Sequence, residues 1–187
     1  TVDASGISMC RYWDLIDTLE VSDRKPVDLD QFHSQLSEVV QDHLVSDVPL
    51  GILLSGGMDS SSLVALARHQ NDGELQTLTV GFEEARYDES RFARLVSGRF
   101  GTRHQEYRLG AEETGSHIDD FFEAMDQPTA DGLNTYMIAR AAKQAGIRVL
   151  LSGLGGDEVF GGYPHFKQVP WLFRSLPLLA RMPQAMR

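Results

Sequence analysis

Cysteine is almost missing from this chain: Cys10 is its one thiol. An internal disulfide framework is thereby excluded, and the usage fits a reducing, cytoplasmic compartment. Nothing around Cys10 marks a reactive thiolate site. Long apolar runs are missing too: none approaches the roughly 18 residues that span a bilayer, and no basic-apolar-small leader opens the sequence. The expectation is a soluble protein with no membrane partner. Positive charge is scarce, with 17 Lys and Arg against 27 Asp and Glu and a formal net charge of -10. That balance speaks against a nucleic-acid partner, although it leaves a local basic pocket open. The six histidines, at positions 33, 43, 69, 104, 117 and 165, show no metal-ligand spacing and read as surface or satisfied core. Internal repeats and low-complexity segments are absent as well.

What is there suffices for a core. At 187 residues, 42% hydrophobic and 24% charged, the chain reads as one main domain with appendages. Residues 1–28 mix turn residues with few periodic positions, and "SDRKPVD" (22–28) looks like a linker ahead of a helix. Phe32, Leu36, Val39, Val40, His43 and Leu44 are spaced for an amphipathic helix. "GILL" (51–54) predicts a buried strand, and Leu63, Val64, Leu66 and Ala67 predict the next helix. Further expectations are strands at 75–82, 103–109 and 148–153, with helices at about 89–100, 111–125 and 134–145. Strands separated by helices imply an α/β fold: a Rossmann-like, mainly parallel sheet with helices on both faces. The working division is a linker at 1–28, the α/β domain at 29–163 and a separate helical start at 164–187.

In such a sheet ligands bind beyond the carboxyl ends of the strands. "SGGMDSS" (55–61) sits at one such end, before a helix whose free N–H groups and positive dipole end face outward. Gly56 and Gly57 let an anion approach the main chain, and Ser55, Ser60 and Ser61 add hydroxyl donors, which suits phosphate or pyrophosphate. The Gly-Lys-Ser/Thr ending of a Walker A loop is absent. Asp59 would repel phosphates unless a cation bridged them, and magnesium resolves that conflict. A helix start capped by Asp59 or Ser60 is the plainer alternative. "VLLSGLGGDEVFGGYP" (149–164) repeats the arrangement: an apolar strand, Ser152, Gly153, more glycines, then Asp157 and Glu158. Two strands of one sheet would then present a serine, glycines and an aspartate at the same edge, which is the chemistry of a nucleotide and metal site.

These loops also carry a resemblance. "SGGMDSS" is similar to the pyrophosphate loop of the N-type ATP pyrophosphatases, and "LSGLGGDEVFGGY" resembles the narrower signature of the asparagine synthetase (glutamine-hydrolysing) family. "SDVPLGILLSGGMDSS", "LTVGFEEARYDESRFAR", "FFEAMDQP" and "GLNTYMIARAAK" share that look, so the likeness runs from about Tyr12 to Pro164. It implies a carbon-nitrogen ligase that adenylates a carboxylate such as aspartate with ATP and Mg2+, releases pyrophosphate, and forms an amide with ammonia from glutamine. By motif, Ser55, Gly56, Gly57, Asp59 and Ser60 would hold pyrophosphate and magnesium, and Asp157 would be the second magnesium ligand. Asp59 and Asp157 are thus the expected catalytic pair. Leu54, Val80, Ser152 and Gly153 occupy positions that surround adenosine in the family, and for Leu54 and Val80 plain strand core is compatible with that role.

The resemblance has departures. Leu154 stands where asparagine synthetases commonly carry a glutamate near the reacting carbonyl, and a leucine cannot accept a proton. "PTADGLNT" (128–135) lacks the Thr-Thr-x-x-Arg type of pattern associated with aspartate binding, while Asp126 and Asp131 flank that region. A different small-molecule or peptide carboxylate therefore stays open. So do a tRNA-modifying ATP pyrophosphatase, disfavoured by charge and by the second loop, and a non-catalytic nucleotide-binding or scaffold domain. The family's N-terminal glutaminase domain is expected to be absent from this chain, which reads as a fragment of a larger enzyme; a homodimer is compatible with it. Residues 164–187 contain no acid and much apolar area, the mark of a membrane-surface helix or, more plainly, of a helical region cut from its partners. In "ARYDESRFARLV" (85–96), Asp88 is the expected N-cap, and Arg91 and Arg94 are either surface residues or reach the triphosphate.

Overall fold

The computed structural model describes residues 2–3, 6–12, 26–82 and 90–180. The expected N-cap at Asp88, most of the stretch 22–28 and the last seven residues of the basic tail lie outside these. The chain divides into two compact units, residues 1–35 and 36–187. In the first, β1 (Val2–Asp3) and β2 (Gly6–Ile7) form an antiparallel pair, with Val2 opposite Ile7. The helix α1 (Leu29–His43) begins here, where the Asp28 carboxylate accepts the N–H groups of Asp30 (3.0 Å) and Gln31 (3.1 Å). An aspartate at this position satisfies two of the helix's otherwise orphaned donors.

The second unit is built on four parallel strands: β3 (Leu50–Leu53), β4 (Gln76–Phe82), β5 (Arg103–Leu109) and β6 (Val149–Leu151). Their lateral order is β5-β4-β3-β6. Between them run α2 (Met58–Gln70), α3 (Ser90–Phe100), α4 (Ala111–Ser116), α5 (Ile118–Ala124) and α6 (Gly132–Gln144). After β6 come α7 (Gly156–Phe160) and α8 (His165–Ala180). One core joins Ile52 and Leu54 to Val40 of α1, Val64, Leu66 and Ala67 of α2 and Ala93 of α3. A second joins Leu78 to Ala141 and Ala142 of α6 and to Ile147. Helices thus cover both faces, as the continuous apolar strands require, and the α/β expectation holds. No described helix is long and apolar enough to cross a membrane.

Two local expectations differ. The single helix expected over 111–125 is broken at His117, whose N–H closes α4 on Thr114 O (3.2 Å) and whose C=O accepts Phe121 N–H (2.9 Å) to start α5. Gly115 and Ser116 are weak helix formers, so the chain re-caps there rather than continuing. The strand expected over 148–153 contracts to Val149–Leu151, because Gly153 and the glycines after it turn away from the ladder.

Buried and half-buried polar groups tie the layers together. Thr77 Oγ1 meets Thr102 Oγ1 (2.7 Å) and His104 Nδ1 (2.9 Å). Arg68, at the end of α2, donates to Phe100 O (2.8 Å), Asn71 O (3.2 Å), Gly73 O (2.8 Å) and Gly101 O (2.9 Å). One guanidinium thus satisfies the last carbonyls of α3 and fixes the loop entering β4.

Arg68→Ala is expected to lower the unfolding free energy by about 2 kcal/mol, read by urea denaturation, since charged hydrogen bonds to several carbonyls are lost together. Arg68→Lys recovers only a minor part, because an ammonium cannot reproduce the planar fork. His104 supplies a pH test. Burial holds its pKa below the ordinary histidine value; the nearby Glu106 opposes this shift and Arg94 adds to it. The folded state therefore binds fewer protons than the unfolded one. Stability is complete above the unfolded-state pKa, falls as pH drops toward the lowered folded-state pKa, and levels off below it. Between about pH 7.5 and about pH 5.5, where histidine titrates, the urea midpoint of the native chain is expected to fall more than that of His104→Gln.

Candidate active site

The order in which the chain adds strands reverses at β3. Chain order runs outward from β3 through β4 to β5, then returns to place β6 on the other side of β3. The segments leaving β3 and β6 therefore meet at the switch point, where open α/β sheets form their ligand crevice.

The first segment, 54–57, is held by its own residues. Gly56 has φ +83°, and a Cβ there would lie 2.5 Å from Phe92 Cβ and 2.7 Å from Ala93 N, so both conformation and space demand glycine. Ser60 Oγ, buried, accepts Ser55 N–H (3.3 Å), bonds Ser55 Oγ (3.0 Å) and donates to Gly57 O (3.3 Å). Gly57 N–H donates to Ser55 Oγ (3.2 Å). No side chain caps the N-terminus of α2, so its dipole end opens toward the crevice with Asp59 in the first turn.

The second segment, 152–155, leans on that turn. Ser152 Oγ accepts Leu154 N–H (3.3 Å), Gly155 has φ +96°, and Gly156 N–H returns to Gly153 O (3.3 Å). A Cβ on Gly153 would lie 3.0 Å from Asp59 Cβ and 3.1 Å from Ser60 N; one on Gly156 would lie 2.6 Å from Asp59 Cγ. These glycines allow the two loops to touch, and any side chain there would push Asp59 away.

Between the loops lies a cleft of ≈ 390 Å³. Ser55, Gly57, Asp59 and Ser60 line it from one side, and Ser152, Gly153 and Asp157 from the other. Of the expected site residues, Leu54, Gly56 and Val80 are not on its wall. Leu54 is fully buried, its N–H on Leu78 O (2.8 Å) and its C=O accepting the Thr79 hydroxyl. Val80 packs on the second core cluster. Glu158, Leu154 and Tyr163 join the wall from the second loop, and Asp131, Asn134, Thr135 and Ile138 join it from the start of α6. Asp131 stands out in the sequence as a flank of the acceptor region; Asn134, Thr135 and Ile138 do not, and their one signal is the 134, 135, 138 spacing on a single helix face. Arg94 instead pairs with Glu106 at 2.7 Å, and neither it nor Arg91 lines the cleft.

The wall is acidic. No Lys or Arg lines it among the described residues, while Asp59, Asp131, Asp157 and Glu158 do. Tyr163 senses this: its pKa is raised, first by the hydrogen bond its hydroxyl donates to Glu158 (2.9 Å), then by desolvation and by the charges of Glu158, Asp157 and Asp59. Such a wall can receive a polyanion only together with a cation, while the serine hydroxyls and the α2 N-terminus supply the anion contacts.

Comparison with known proteins follows the same lines. The glutamine-dependent NAD+ synthetase from Acinetobacter baumannii, solved in complex with adenosine diphosphate, superposes with a TM-score of 0.50 at 18% identity. The superposition covers 76% of this chain and 29% of that one, so the parallel sheet and its flanking helices are shared as a fold. Over 165 residues the chain is 36% identical to putative asparagine synthetase [glutamine-hydrolyzing] 2 of Methanocaldococcus jannaschii, covering 87% of this chain and 32% of that protein. Against asparagine synthetase B [glutamine-hydrolyzing] of Escherichia coli K12 it is 35% identical over 160 residues, covering 76% and 28%. The chain thus spans between about a fifth and a third of the length of the curated relatives it matches. Residues 31–187 match the family model described as asparagine synthase. With both glycine loops inside that match and facing one cleft, the chain belongs to the asparagine synthase family.

Proposed function

We propose that this chain is the adenylating part of an amide-forming ligase. The observation that carries the reading is the contact of two serine-glycine-aspartate loops across one cleft, through Gly153 and Gly156 on Asp59. An acceptor carboxylate oxygen attacks the α-phosphorus of ATP, the bond from that phosphorus to the bridging oxygen breaks, and pyrophosphate leaves. An amine then displaces AMP from the acyl-adenylate. In the whole protein, a glutaminase domain would deliver that amine as ammonia.

The chain's own work is positioning and electrostatics. The α2 N-terminus, the Gly57 backbone and the hydroxyls of Ser55 and Ser60 would hold the leaving pyrophosphate. Ser152 and Gly153 would border the adenosine; Leu54, with both backbone groups already engaged, and Val80, packed on the second core cluster, would fix the strand ends beneath it. Magnesium fits the donor set. Among the described residues no group of three or more acidic, histidine or cysteine side chains is placed to hold a metal ion, so the protein would supply at most two ligands. Asp59 and Asp157 face the same cleft from opposite loops, and magnesium characteristically takes one or two carboxylates and completes its shell with phosphate oxygens and water. It would neutralise triphosphate charge; Asp59 and Asp157 would hold it in place.

Calorimetric titration with ATP, with and without magnesium, tests the assignment. Asp59→Ala and Asp157→Ala are each expected to weaken magnesium-dependent binding by roughly tenfold or more, since a metal held by so few carboxylates cannot lose one cheaply. Unchanged affinity in both would remove the metal role. Gly156→Val is expected to weaken binding comparably by displacing the Asp59 carboxylate, with little effect on the urea midpoint. ATP-pyrophosphate exchange with the full-length parent and a panel of carboxylates tests the chemistry. Binding without exchange for any carboxylate would favour the scaffold reading.

A further inference from the structure

A second cavity of ≈ 260 Å³ lies beside the nucleotide cleft, and the two share Asp131 and Asn134 as walls. Its remaining lining is Leu109 at the end of β5, Leu133 and Met137 of α6, Ala130 and Thr114. Leu109 and Met137 are each 2% exposed, so the floor is core. The Thr114 hydroxyl is turned inward onto Gly110 O (2.9 Å). No cationic side chain lines either cavity among the described residues, and the shared Asp131 puts a negative charge at their junction. A separate observation points the same way: Leu154, on the nucleotide cleft wall, is 89% exposed, an apolar side chain held out over the cleft by a glycine-rich turn.

We infer that this second cavity is the acceptor subsite, and that it takes a small carboxylate with an apolar body rather than a dicarboxylic amino acid. The inference rests on the adenylation reading and names its substrate class. The volume suits one side chain and excludes a drug-sized body. An apolar floor favours a hydrocarbon group there, which leaves the carboxylate directed out of this cavity into the neighbouring cleft, where the proposed magnesium would offset Asp131. Aspartate would bring an ammonium that Asp131 can pair, but it would also place a second carboxylate against an apolar floor with no cationic side chain among the described residues to pair it. The Asn134 side chain, the one amide on either wall, offers a neutral donor where the two cavities meet.

The test is ligand-observed NMR and calorimetry on the full chain, with 3-phenylpropanoate, 4-methylpentanoate and L-aspartate as probes. Each is titrated alone and in the presence of magnesium with a non-hydrolysable ATP analogue. The apolar carboxylates are expected to bind at least tenfold tighter than aspartate. Ala130→Phe, a substitution at an exposed position on the cavity mouth, is expected to weaken them at least fivefold. Leu154→Glu is expected to weaken them as well. Aspartate binding as tightly as the apolar probes, no detectable binding of those probes, or indifference to Ala130→Phe would overturn the inference. Affinity of the native chain for the ATP analogue is read separately: its absence would sink the adenylation reading, while the carboxylate preference measured without nucleotide would still decide the subsite.

Discussion

The contact on which the site depends is the approach of the second glycine loop to the first turn of α2. A Cβ on Gly153 or Gly156 would crowd the Cβ or the carboxyl group of Asp59, so a side chain at either place would displace it. That approach follows from β6 pairing directly with β3, in parallel and in register, Ile52 opposite Leu151. The pairing begins before the strand itself, with Arg148 N–H on Pro49 O at 2.8 Å. It also needs Gly51, because a Cβ there would lie 2.8 Å from Ile147 Cδ1. Glycine at the start of the central strand and glycine past its end thus serve one purpose, the close lateral packing of the β3 and β6 segments.

Around that contact the polar groups are arranged before any ligand arrives. Ser55 and Ser60 bond each other and the loop backbone, so the hydroxyls are fixed by the protein rather than by solvent. Each hydroxyl carries one proton, so a phosphate that takes a donor from Ser55 or Ser60 must draw it from a bond inside the loop. The cleft carboxylates are less engaged: of Asp59, Asp157 and Glu158, Glu158 accepts the Tyr163 hydroxyl (2.9 Å). Asp59, Asp157 and Glu158 converge near the Tyr163 hydroxyl and raise its pKa. Acidic groups that share a wall without Lys or Arg are tolerable because Asp157 and Glu158 are exposed to water, and they become useful when a cation enters with a polyphosphate.

Much of the scaffold was legible because period and punctuation agree. The helix over Leu29–His43 and the strands Gln76–Phe82 and Arg103–Leu109 match their apolar spacing, and α3 stops where Gly101 allows a φ of +60°. The break at His117 was not legible, since it depends on whether two short helices pack better than one long one. In the site, the glycine loops announced themselves by composition. Asn134, Thr135 and Ile138 did not: a polar pair and an isoleucine in the first turns of a helix look the same whether they face solvent, core or a cleft.

The sequence by itself determined the local chemistry. It placed Ser55, Gly56, Gly57, Asp59 and Ser60 between a buried strand and a helix, repeated that order at Ser152, Gly153 and Asp157, and supplied a family likeness that the comparisons bear out. These are properties of near neighbours along the chain, where steric freedom and hydrogen-bonding capacity are written in residue type. Only the tertiary structure decided that β6 returns to the far side of β3, that the two loops therefore touch, and that α6 closes the cleft and opens a second, apolar cavity beside it. Lateral strand order depends on the packing of helices that lie tens of residues apart, and no local pattern encodes which edge a returning strand will join.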